Sequence, residues 1–250
     1  MLTICLPTRG RPERFAEMYR SALETARGAV EVVAVMDDDD ETRFDYPSGP
    51  TYLTLPVGTM KQSGMWSHAF AHAKGDIAHL GADDLVYRTP GWDVRVAAAF
   101  ERWRDRIGMV YCNDGYALSP KPFKGQKPSD AIDGKYVFAA NPFCSREWIE
   151  ALDGFFTPPF YDSWEADTWI YQVADAISRA AYLGDVLIEH LHPMAGKAEM
   201  DDTYRRGAAG NERMKRQGWA LTRSPRMRKL RAEQARKLTE AIQARRKVPA

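Results

Sequence analysis

The sequence predicts an α/β protein with a Rossmann-like, mostly parallel central sheet and a basic helix added at its C-terminal end. Three observations carry that prediction. Apolar, β-prone runs alternate with helical patterns over residues 1–112, and residues 30–36 are almost continuously apolar, as expected of a strand covered on both faces. Acidic stretches close two of these runs, Asp37-Asp38-Asp39-Asp40 and Asp83-Asp84. Carboxylates at the carboxyl ends of buried strands project into the cleft where such sheets bind ligands, not into a core.

The elements follow in order. Residues 2–6 form a short strand pattern that ends at Pro7-Thr8-Arg9-Gly10-Arg11-Pro12. A helix follows, with Phe15, Met18, Tyr19, Ala22 and Leu23 spaced by three and four. Strands are expected over 30–36, 51–55, 77–80 and 108–112, with helices over 62–73 and from Pro90-Gly91-Trp92 onward. Residues 113–135, rich in Gly, Pro, Lys and Asp, read as a long loop. A strand over 136–140, a short helix over 146–152, a helix over 164–180 and a last strand over 183–189 complete the body. From residue 224 strong helix formers carry a thin apolar stripe, Met227, Leu230, Gln234, Leu238 and Ile242, expected of an appended helix outside the core. The implied division is an α/β body over 1–222, split at 112, and a helical tail over 223–250.

The net charge of +1 hides an asymmetry: residues 223–247 hold ten Lys or Arg against Glu233 and Glu240, while the remainder holds 25 basic and 32 acidic residues. A basic helix on an acidic body can dock on that body, on a second subunit, or on nucleic acid through salt-sensitive contacts. Cys5, Cys112 and Cys144 lie far apart without a CxxC pair, which predicts free buried thiols in a reducing compartment. No apolar run approaches the roughly 18 residues of a membrane span. The start shows no signal-peptide pattern, so a cytoplasmic location is expected. A glycine-rich phosphate loop is absent, which weakens a nucleotidyltransferase reading.

Six segments together resemble the GT-A glycosyltransferases, especially the inverting family 2 type: residues 3–12, Val33-Ala34-Val35-Met36-Asp37-Asp38, residues 75–84, Asp153-Gly154-Phe155, residues 164–169 and Glu189-His190-Leu191-His192-Pro193. The resemblance implies a nucleotide-binding half joined to an acceptor-binding half. It implies a nucleoside-diphosphate sugar as donor, with uridine the expected base, and Mn²⁺ or Mg²⁺ bridging its diphosphate. Pro7, Thr8 and Arg9 would hold the nucleotide, and Asp38 or Asp39 the base or ribose. Ala82-Asp83-Asp84 stands at the family's DXD motif with alanine at its first position. Asp84 would ligate the metal and Asp83 would meet the ribose or the metal indirectly. One of His190 and His192 would complete the metal site, with His192 slightly favoured by its place at the strand end.

Asp167 matches the family's base, which takes a proton from the acceptor hydroxyl, and Asp162 and Glu165 are its rivals. An aromatic setting of Phe160, Tyr161, Trp164 and Trp169 would raise its pKa. Lys197, in a segment with Asp201, Asp202 and Tyr204, is placed to close over the diphosphate, and Lys61 is a weaker candidate. Simpler readings stand beside these: a turn at residues 7–12, a solvated turn at 37–40, a helix N-cap at Asp84, and a dipole-favoured first-turn residue at Asp167. The acceptor stays open among protein hydroxyls, saccharides, lipid-linked sugars and modified nucleobases.

Overall fold

A computed structural model of the chain describes residues 1–123, 125–158, 166–209, 212 and 224–246. Strands β1 (Leu2–Pro7), β2 (Val30–Asp37), β3 (Thr51–Leu55) and β4 (Ile77–Leu80) are parallel neighbours in the order β3-β2-β1-β4. Helices α1 (Pro12–Thr25) and α2 (Gln62–Ala71) connect β1 to β2 and β3 to β4. Alternation sorts the side chains onto two faces. Leu2, Ile4, Leu6, Val32, Ala34 and Met36 pack with Phe15 and Met18 of α1. Cys5, Val33 and Val35 pack with Trp66, Ala69 and Phe70 of α2. Because both faces are covered, β1 and β2 read as nearly continuous apolar runs, interrupted at Thr3 and Glu31.

Beyond β4 the expected mostly parallel sheet is corrected to a mixed one. Strand β9 (Phe143–Ser145) inserts antiparallel between β4 and β6 (Met109–Asn113). Strand β10 (Ala180–His190) runs parallel to β6, and β5 (Leu85–Tyr87) closes that edge antiparallel to β10. The reversed strands β5 and β9 have 3 residues each, too few to show a period in sequence. The segment expected as a loop contains β7 (Ala117–Ser119), paired with β8 (Tyr136–Val137) in a separate two-stranded sheet. Helices α3 (Trp92–Phe100) and α4 (Arg146–Ala151) fall where expected, and residues 202–209 form α6.

Helix α5 (Ala166–Ala176) stops short of the predicted 180. Ser178 takes a left-handed φ of 59°, and Arg179 N–H returns to Ala174 O at 2.8 Å, a helix stop made without glycine. Arg179 then grips Asp105 through two bonds of 2.7 and 2.9 Å, at side-chain exposures of 7% and 2%. Arg179→Met leaves a buried carboxylate without its main partner. A stability loss of about 3 kcal/mol is expected, read from the denaturant midpoint at unchanged slope. A midpoint equal to wild type would show that Arg246, 3.6 Å from Asp105, suffices alone.

Helix α7 (Pro225–Arg246) corrects the expectation that it stands outside the core. Met227, Leu238 and Ile242 are buried in the same cluster as Trp148, Trp169 and Ile170. Trp169 Nε1 donates to Gln234 at 2.7 Å, and Lys237, Arg245 and Arg246 reach Asp153, Glu147 and Asp105 at 2.6, 3.8 and 3.6 Å. The basic helix is docked on the acidic body through these pairs. Cys5, Cys112 and Cys144 are free and buried, as their spacing predicts. No helix among the described residues is long and apolar enough to cross a membrane.

Candidate active site

The ends of β1, β2, β4, β6 and β10 carry the polar residues of the site. Gly81, just past β4, passes so close to β1 that an added Cβ would sit 2.6 Å from Ile4 Cγ2. Its carbonyl accepts from Trp66 Nε1 at 2.9 Å, which fixes the exit of the strand. Ala82-Asp83-Asp84 then turns directly into β5, so both carboxylates are held inside the protein, at 6% and 5% exposure. Leu191 N–H donates to Asp84 O at 2.8 Å, and His190 N–H to Asp114 O at 3.0 Å. These backbone bonds draw the ends of β4, β6 and β10 together.

Side chains complete the network. Thr8 Oγ1 donates to Asp83 Oδ2 at 2.8 Å, and Arg11 Nη1 to Asp83 Oδ1 at 2.9 Å. His190 Nε2 lies 3.3 Å from Asp84 Oδ2, which also accepts from Tyr204 OH at 2.6 Å. Burial alone would raise the Asp84 pKa, but His190, Tyr204 and Arg11 outweigh it and hold the carboxyl well below the usual range. Asp83 goes the other way, pushed up by burial and then by the adjacent Asp84 charge. His190 is raised: burial opposes its charge, but Asp84, then Asp114 and Asp167, favour it. Asp114 and Asp167 are both pushed up to about 6, chiefly by burial, with His190 pulling each part of the way back.

The other predicted residues have definite places. Pro7 ends β1 opposite Val35. Arg9 clamps Asp37 at 2.8 Å and Asp39 at 3.0 Å, binding the loop after β1 to the acidic stretch at the end of β2. Asp38 is exposed and accepts from Val57 N–H at 3.0 Å. Asp40 is a turn builder, accepting from Gly10 N–H and from Thr42. Lys197 is anchored on Glu189 at 2.8 Å and on Gly115 O at 3.1 Å. His192 Nδ1 accepts from Met194 N–H at 3.2 Å, and its ring packs edge-on against His190 and Tyr204. Asp167, in the first turn of α5, accepts from Thr168 N–H at 2.6 Å. Phe160, Tyr161, Asp162, Trp164 and Glu165 lie outside the described residues, whereas Trp169 is buried in the core. A cavity of about 480 Å³ lined by Lys61, His68, Asp153 and Phe155 contains none of the site carboxylates.

Sequence reasoning missed two residues. Asp114 follows β6 as Asp84 follows β4, so the strand-end rule that found one would have found the other. Arg11 left no such signal. It is 7% exposed, and its partners Asp83 and Asp201 are 72 and 190 residues away.

Among the described residues no three His, Cys, Asp or Glu side chains form a metal cage. Asp84 Oδ1 is nevertheless buried and has no hydrogen-bond partner. An orphaned carboxylate oxygen beside an imidazole suits a cation that takes most of its ligands from a phosphorylated substrate and water, as Mg²⁺ and Mn²⁺ do. The residues present thus fit such an ion, for which Asp84 would be the anionic ligand.

The fold is of the GT-A type. The chain is similar to S. aureus TarS 1–349 in complex with UDP-GlcNAc, at 14% identity and a TM-score of 0.54, covering 82% of this chain and 63% of that one. It is likewise similar to glucosyl-3-phosphoglycerate synthase from Mycobacterium tuberculosis in complex with Mn²⁺, UDP and phosphoglyceric acid. There the identity is 13%, the TM-score 0.53, and the coverage 100% of this chain and 80% of the other. Against TarS 1–349 and its UDP complex, the chain spans 59% of the neighbour's length. At these identities the likeness is one of fold. No protein-family model matches the chain, and no curated protein matches it in sequence.

Proposed function

We propose that the protein transfers a sugar from a nucleoside-diphosphate sugar, with uridine as the base, to an acceptor hydroxyl with inversion at the anomeric carbon. The observation that carries this reading is Asp84 in the turn after β4, with Oδ2 3.3 Å from His190 Nε2 and Oδ1 buried without a hydrogen-bond partner. We read Asp84 as the cation ligand and Asp167, whose charge favours the protonated form of His190, as the general base. The structural neighbours bound to UDP-GlcNAc or to UDP and Mn²⁺ support the donor class.

In this reading Asp84, with His190 as a neutral imidazole, would hold a divalent cation, which would neutralise charge building on the departing diphosphate. Asp83, fixed by Thr8 and Arg11, faces the same end of the donor. Arg9 holds Asp37 and Asp39 at the nucleotide side, where Asp38 and the buried, unpartnered Asp37 Oδ1 are acceptors for base or ribose donors. Asp167 takes the proton of the acceptor hydroxyl as its oxygen bonds to the anomeric carbon. The bond from that carbon to the diphosphate breaks, and its electron pair leaves with the diphosphate. A carboxyl with a pKa of about 6 is deprotonated at neutral pH yet basic enough to accept that proton.

Thermal shift against a panel of nucleotides and sugar nucleotides, with and without Mn²⁺, tests the reading. A cation-dependent rise in Tm with uridine diphosphates is expected, because a ligand at 100 times its Kd adds about 2.7 kcal/mol of stability. A response to none of the panel, or to nucleoside triphosphates only, would sink the glycosyltransferase reading.

A further inference from the structure

Arg11 and the segment from Asp201 to Tyr204 form the most densely bonded polar cluster at the site. Asp201 grips Arg11 side-on, with Nε donating to Oδ2 at 2.9 Å and Nη2 to Oδ1 at 2.7 Å. The guanidinium lies 4.0 Å above the Tyr204 ring. Asp201 Oδ1 also accepts from Tyr204 N–H at 2.9 Å, so the start of α6 is built around this pair. Tyr204 OH donates to Asp84 Oδ2, and Arg14 Nη1 donates to that hydroxyl at 3.1 Å. Thr203 Oγ1 fastens the segment to Arg9 O at 3.2 Å. The segment thus covers both the carboxylate offered to a cation and the arginine beside it.

We infer that Arg11 is a diphosphate-binding residue, masked in the free protein by the Asp201 carboxylate, and that segment 201–204 is a latch displaced when donor and cation bind. This rests on the donor reading above. The physical ground is geometric. A guanidinium offers two parallel N–H groups that fit a carboxylate or a phosphate equally well, so Asp201 occupies the positions two phosphate oxygens would take. Arg11 also bonds Asp83 at 2.9 Å and lies 4.0 Å from Asp84, next to the point where a cation would meet the same diphosphate. Tyr204 is linked to the same exchange, because its hydroxyl sits on the Asp84 oxygen that His190 also contacts. Arg9, by contrast, spends its fork on Asp37 and Asp39.

The test is calorimetric titration of UDP, with Mn²⁺ present, into the full chain and into Asp201→Asn. Trypsin cleavage after Arg205 and Arg206 is followed in parallel. Asp201→Asn is expected to tighten UDP binding about tenfold, since a charged competitor is removed from Arg11. Adding Arg11→Lys to that variant is expected to lose about tenfold, because lysine keeps the charge but not the fork. In the wild type, Mn²⁺ and UDP together should speed the cleavage. Equal UDP affinity with and without Asp201→Asn, or cleavage slowed by the ligand, overturns the latch and leaves the donor reading standing. Absence of UDP binding in the wild type and every variant overturns both. If Arg11→Lys does not fold, Tyr204→Phe replaces it. That variant must bind Mn²⁺ more tightly, read from the electron-spin signal of free Mn²⁺, and unchanged Mn²⁺ affinity overturns the proposal.

Discussion

Asp84→Asn is expected to lower sugar transfer by about 10³-fold, the size of effect seen when a principal electrostatic contact to the leaving group is lost. The change is nearly isosteric, so Tyr204 keeps an acceptor and the fold is retained. What disappears is the negative charge that His190 and Arg11 now stabilise and that a cation would use. Removing it also lowers the pKa of His190, since Asp84 is the largest influence favouring the charged imidazole. Mn²⁺ affinity, measured without donor, should fall alongside turnover. A variant with wild-type Mn²⁺ affinity and rate would move the cation away from the β4–β5 turn.

Asp167→Asn should separate binding from chemistry. Turnover is expected to fall by about 10²–10⁴-fold, the usual contribution of a general base, while UDP affinity stays within about twofold of wild type. The wild-type rate carries a second signature. Burial raises the Asp167 pKa to about 6, so below that pH the carboxyl is protonated and cannot accept the acceptor's proton. Rate should therefore climb as pH rises through about 6 and then level, and the variant should lack this limb. Transfer by Asp167→Asn at the wild-type rate would refute the assignment and point to Asp114, which burial also raises to about 6.

The legible parts of the chain were those in which local pattern and tertiary position agree. Strands β1, β2 and β4 are buried on both faces over most of their length, so their sequences are apolar apart from Thr3, Glu31 and His79. The same rule marked Asp84 and, at the end of β10, both His190 and His192 with His192 favoured, whereas His190 is the one that lies 3.3 Å from Asp84. It failed at β5 and β9, where 3 residues leave no period to read and direction is set by neighbouring strands. It also misjudged α7, whose stripe looked too thin for a core. Met227, Leu238 and Ile242 are buried because α4 and α5 present a complementary face, a fact held by those helices and not by α7.

The sequence by itself determined the parallel half of the sheet and which carboxylates stand at strand ends, because burial and alternation are written residue by residue along a strand. Only the tertiary structure decided how those ends meet. It set His190 against Asp84, brought Asp114 and Asp167 within their field, and folded Asp201 and Tyr204 back over Arg11. Contacts between residues separated by 190 and 120 positions depend on how the elements pack, and no local pattern encodes such a distance.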